Sequence, residues 1–93
     1  MNTAAKGRRA EYKSIALFEA AGYQCIRAAA SKGPFDIWAV SRTDIVFCQT
    51  KAGTAWPSPA ERETLASFPA PPNARRLIHR WRARQRQPDV MEL

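Results

Sequence analysis

The chain has 93 residues, with 15 Lys and Arg against 8 Asp and Glu and a formal net charge of +7 at pH 7; its pI is near 10.3. That length makes one domain with a thin core, a size that often gains from dimerising, and the charge points to a polyanionic partner, nucleic acid first. No membrane span and no signal peptide are expected, because no apolar run approaches the roughly 20 residues of a span and Met1 to Arg9 carries basic residues instead of an apolar signal core; the expected compartment is the cytoplasm.

Ala4 to Ala21 predicts a first helix, rich in Ala, Glu, Lys, Arg and Leu, with Gly22 as its stop signal. Glu11 borders the stripe of Ile15 and Phe18, where an acid either pairs at the helix margin or faces a site inside. Tyr23 to Ala29 reads as a strand, and Ala30-Ser31-Lys32-Gly33-Pro34 as the loop leading to Asp36. Phe35 to Val40 and Ile45 to Lys51 are β-branched and aromatic, and the polar Ser41-Arg42-Thr43-Asp44 between them predicts a hairpin. Pairing Val40 with Ile45 sets Asp36 opposite Gln49, and the two-residue strand period adds Lys51 to the same side. Ser58, Pro59 and Glu61 form a capping box. The helix it starts reaches about Phe68, with Leu65 and Phe68 on its apolar side, before Pro69, Pro71 and Pro72. Ala74 to Trp81 predicts a fourth strand. From about residue 83 to Leu93 the chain is either a short edge strand near Val90 or a loose polar tail. The expected order is αβββαβ, in a single domain spanning 1–93.

Cys25 and Cys48 stand alone, without C-x-x-C or ligand-spaced histidine, and read as small buried hydrophobes in a reducing compartment, not as a disulfide or a zinc site. Trp38 is expected in the core, Trp56 in core or interface, Trp81 under guanidinium groups, and His79 on a strand surface. The cations cluster as Lys6, Arg8, Arg9 and Lys13 at one end and Arg75, Arg76, Arg80, Arg82, Arg84 and Arg86 at the other, with arginine suited to phosphate. An acid, an amide carbonyl and an ammonium on one side of a hairpin form an arrangement for phosphodiester hydrolysis around a hard divalent cation. The plainer readings are that Asp36 is a turn acid and that Gln49 and Lys51 lie on a solvated strand face.

The string Lys6-Gly7-Arg8-Arg9-Ala10-Glu11, with Arg27, Ser31-Lys32-Gly33-Pro34, Phe35-Asp36-Ile37 and Gln49-Thr50-Lys51, resembles the PD-(D/E)XK nuclease superfamily. More narrowly it is similar to the small Holliday junction resolvases of archaea and phages. The resemblance covers about Lys6 to Phe68. It implies an α/β, restriction-endonuclease-like fold, with a central mixed sheet flanked by helices, in a homodimer holding a four-way DNA junction in a prokaryotic or phage-infected cell. It implies catalytic roles for Glu11, Ser31, Asp36, Gln49 and Lys51, with Mg²⁺ (Mn²⁺ able to substitute) held by Asp36, Gln49, the Thr50 carbonyl and Glu11. Lys6, Arg8, Arg9, Arg27, Lys32, Arg75, Arg76, Arg80 and Arg82 would bind DNA. The dimer contact it implies is an apolar helix face, here that of Leu65 and Phe68. Gln49 departs from the usual Glu: it keeps a carbonyl oxygen for the cation but loses a charge. The same chemistry would serve a nicking or restriction-like endonuclease without junction preference, and loss of metal binding at Gln49 would leave a catalytically inert DNA-binding module.

Overall fold

The structure, a computed structural model, describes residues 3–28 and 34–93. Along the chain run α1 (Thr3–Ala20), β1 (Gln24–Arg27), β2 (Ile37–Val40), β3 (Ile45–Ala52), α2 (Pro59–Ala66), β4 (Ala74–Trp81) and β5 (Asp89–Glu92). The strands lie side by side in chain order. β3 and β4 are parallel and the other neighbours antiparallel, so α2 is the crossover that a parallel step requires.

Alternation along the strands feeds two cores. On one face Ile37, Ala39, Val46, Cys48 and Leu77 pack with Phe18 of α1. On the other, Phe47 and Ile78 pack with Phe35 and with Leu65 of α2, flanked by Trp56 and Phe68. The capping box forms as expected, Ser58 accepting from the Glu61 amide and Glu61 reaching back to Ser58. Because α2 is only two turns long, it leaves the β1–β2 end of its face bare. Ile26, Trp38 and Val40 are exposed there by 58, 36 and 40%, with Ile26 opposite Trp38 and Gln24 opposite Val40. Trp38 is therefore not a core residue; it meets the core only through an edge contact with Phe47, ring centroids 5.5 Å apart.

Three other expectations change. Leu65 is fully enclosed and Phe68 packs on Phe35 and Phe47, so the apolar side of α2 is consumed internally and is no free dimer surface. His79 is 4% exposed instead of lying on the surface; its strand position alternates onto the α1 face, where it stacks on Phe18 at 5.1 Å. Trp81, also on that face, lies under the Lys13 ammonium, 5.3 Å from the ring centroid, and not under a guanidinium. Its indole Nε1 donates to Ser14 Oγ at 2.8 Å, and Ser14 Oγ lies 2.9 Å from His79 Nδ1. An indole can only donate, so the Ser14 hydroxyl accepts from Trp81, and the His79 tautomer sets whether the hydroxyl donates to or accepts from Nδ1. Burial pushes the His79 pKa down to about 4. The segment after β4 resolves in favour of the edge strand: β5 pairs with β4, Asp89 facing Arg80. Cys25 and Cys48 are both free thiols.

Candidate active site

The hairpin register is the expected one, Val40 opposite Ile45 and Ile37 opposite Cys48. Regular pairing stops at Ile37, and the chain turns at Asp36, whose amide still donates to Cys48 O at 2.9 Å. Beyond that point the Asp36 side chain takes over the ladder. Its Oδ2 accepts from the Thr50 amide at 2.9 Å and lies 3.3 Å from the Thr50 hydroxyl. The carboxylate is thus pinned at the open end of β2, and no described residue donates to its other oxygen, Oδ1. Burial holds its pKa above the usual carboxylate range and the charge of Glu11 adds to that, against the Thr50 hydrogen bonds and the charge of Lys51. Asp36 is therefore within electrostatic reach of both side chains.

Gln49 sits beside this end of the hairpin. Its Nε2 donates to Pro34 O at 3.2 Å, and since a carbonyl can only accept, that bond fixes which way the amide faces. Its Oε1 is then buried with no hydrogen-bond partner, the one such side-chain atom found among the described residues. An unpaired buried acceptor costs about 1–3 kcal/mol, so the position is maintained against stability.

Lys51, two residues along β3, lies 3.5 Å from Glu61 of α2. Sequence reasoning gave Glu61 only its capping role; its place in the first turn of the helix packed over this face was the available signal. Glu11 accepts from Arg27 Nε at 2.6 Å, and the Arg27 guanidinium lies 5.4 Å from the Tyr12 ring centroid. The margin-pair reading of Glu11 is thus correct geometrically, yet the pair lies close enough to Asp36 for its charge to be felt there. Thr50 contributes its amide and hydroxyl to Asp36. Ser31 and Lys32 lie outside the described residues. No cluster of three or more His, Cys, Asp or Glu side chains able to hold a metal occurs among the described residues.

The arginines of the C-terminal third are largely engaged within the fold. Arg75 pairs with Glu92 at 2.9 Å, and Arg76 donates to Phe68 O, just past the end of α2, at 3.0 Å. Arg80 pairs with Asp89 at 2.9 Å, donates to Thr54 O and covers Trp56, 4.2 Å from the ring centroid. Arg82 shares Asp89 at 2.9 Å. Most of these charges therefore already have partners within the fold. Lys6, Arg8 and Arg9 are exposed on α1, with no acidic partner among the described residues.

A mixed sheet with a β1–β2–β3 meander, a parallel β3–β4 step and a helix on each face is a restriction-endonuclease-like nuclease fold. Among solved structures it is similar to Hjc of Archaeoglobus fulgidus, a Holliday junction resolvase from an archaeal hyperthermophile, with a TM-score of 0.72 and 22% identity over 90% of this chain and 73% of that one. No family model matches the chain, and no curated protein matches it. At that identity the likeness is one of fold.

Proposed function

We propose that this chain is a metal-dependent DNA endonuclease that cuts four-way junctions by phosphodiester hydrolysis, acting as a homodimer. The observation that carries the reading is the orphaned Gln49 Oε1 at the same end of the hairpin as an Asp36 carboxylate that keeps one oxygen unbonded by any described residue. An amide oxygen and a carboxylate oxygen with little other ligation would suit a hard divalent cation such as Mg²⁺, which keeps several waters and borrows substrate phosphate oxygens. Asp36 and Gln49 would hold it, with the Thr50 carbonyl as a further donor, and Glu11 contributes charge at one remove through Arg27. Once bound, the cation supplies a water of lowered pKa and polarises the scissile phosphate.

The protein's own groups do the rest. Thr50 orients Asp36 and partly offsets the burial that disfavours its charge. Lys51, steadied by Glu61, offsets charge developing on the phosphate oxygens. Arg27 and Ser31 would bind the phosphate, and the motif resemblance implies 5′-phosphate and 3′-hydroxyl ends. The substrate class rests on the fold shared with a resolvase and on the motif resemblance. A second copy is part of the reading, because opposed cuts in a four-way junction need two sites. The bare apolar face of Ile26, Trp38 and Val40 is available to it.

The test is cleavage of a labelled four-way junction with Mg²⁺ or Mn²⁺, beside linear duplex and single strand. Paired nicks in the junction are expected. Equal nicking of linear duplex would replace junction resolution with a general nickase, and binding without any cutting would overturn catalysis.

A further inference from the structure

Outside the acid site, α1 and the chain after β4 enclose two adjoining clefts that share Lys13 and Trp81. One, of about 300 Å³, lies among Lys6, Arg9, Lys13, Ala52 and Arg82. The other, of about 360 Å³, lies among Lys13, Leu17, Gln85 and Arg86. Lys6, Arg9, Lys13, Arg82 and Arg86 all line this trough, and no acid does. Of the five, Arg82 has an acidic partner among the described residues, and it shares that partner with Arg80.

The helical spacing sets three cations in one row. Lys6, Arg9 and Lys13 follow one another at i, i+3 and i+7 along α1, a row about 10 Å long, close to the axial rise of three nucleotides at roughly 3.4 Å each. The opposite wall adds Arg82 and Arg86. The floor is small or apolar: Ala10, Ala16, Ala52, Ala83 and the nearly buried Trp81, whose one polar atom is already bonded to Ser14. Such a floor offers little with which to read base edges, while the walls offer charge. Ala52 lies two residues beyond Thr50 on the same face of β3, and Thr50 bonds Asp36, so the trough begins near the Asp36 end of the site.

We infer that this trough holds the sugar-phosphate backbone of the nucleic acid strand that continues from the site of cleavage, without sequence preference, and that Lys13 and Arg86 are phosphate-binding residues. The inference deepens the proposed function and rests on it for which strand enters.

Binding is measured by fluorescence anisotropy on a four-way junction without metal, in an Asp36→Asn background that cannot cut, across about 50 to 200 mM salt. Replacing Lys13 and Arg86 together by Gln is expected to lower the slope of log affinity against log salt by about 1.8, since each lost phosphate contact removes about 0.9. Lys13→Arg should retain the slope, and Arg42→Gln, on the β2–β3 turn away from the trough, should leave it unchanged. A double variant with the wild-type slope and an unchanged melt overturns the trough, as does an equal loss in Arg42→Gln. Should the double variant fail to fold, Lys6→Gln with Arg9→Gln reads the same row, under the same criterion. The outcomes separate: a chain that binds with the predicted slopes but never cuts sinks the nuclease reading alone, and a chain that cuts while the slopes stay flat sinks the trough alone.

Discussion

At the β4–β5 edge Asp89 accepts from Arg80, Arg82 and Gln85 and Glu92 accepts twice from Arg75, whereas at the open end of β2–β3 Gln49 Oε1 is buried without a donor and Asp36 is held above its ordinary pKa. The first region is the denser in charge, and it is the one the sequence marks most loudly as a polyanion surface. Its charges are nonetheless largely paired with one another, so a phosphate arriving there competes with a carboxylate. The second region has few charged groups but leaves valences open. Unsatisfied groups at a strand end, and not a count of arginines, distinguish a place built for a ligand from a place built for the fold.

The sharpest way to break that contrast is Asp36→Asn. Junction cleavage in Mg²⁺ should fall by about three orders of magnitude, the scale of losing a principal charge-stabilising group, with binding largely retained. Because burial disfavours the charged form of this carboxyl, the variant without metal should melt at or above the wild-type temperature. Retained cleavage would place the chemistry elsewhere.

A third polar group gives the contrast a control, since it is buried like Gln49 but partnered like Asp89. His79 is neutral in its Ser14–Trp81 network, with a folded pKa of about 4 against roughly 6.5 unfolded. Between those values the unfolded chain binds more protons. Stability from this residue is therefore complete above about pH 6.5 and is lost as pH falls towards 4, by about 3 kcal/mol in all. Urea titrations from pH 7 to 4 should show this slope in the wild type and lose it in His79→Phe. An identical slope in both would mean that the ring is protonated in place.

Gln49→Glu tests the orphan directly. Without metal, a carboxylate facing Pro34 O and Asp36 should destabilise by about 1–3 kcal/mol. Mg²⁺ should then raise the melting temperature of Gln49→Glu more than that of the wild type, because a charged oxygen ligates a hard cation more strongly than an amide. Equal Mg²⁺ shifts in the two proteins would remove Gln49 from the metal site.

Much of this was legible in the sequence because it follows from local chemistry. The hairpin register came from strand period and a polar four-residue connection, and α2 from its capping box. Charge pairing was not legible, because it depends on neighbours brought together by β5, a strand of four residues in a polar segment with little apolar alternation. The strand exposures of Trp38 and His79 were missed for one shared reason. Alternation assigns a face, but only the length and placement of α2 and α1 decide which face is covered. Gln49 was visible as a candidate ligand; that its oxygen lacks a partner depends on Pro34 O, which no spacing rule supplies.

The smallest expected effect turns the matched edge against itself. Asp89→Asn removes the charge that Arg80 and Arg82 share but keeps an oxygen able to accept from them, which predicts only a slight drop in melting temperature. Arg80 keeps Thr54 O and Trp56, so it should stay in place. Arg82, which lines the trough from the chain after β4, loses its competing acidic partner and binds phosphate more strongly. Junction affinity at low salt should therefore rise several-fold and the salt slope should steepen by about 0.9. If affinity falls instead, the β4–β5 edge is itself part of the binding surface, and the distinction between spent and open charge does not hold for this molecule.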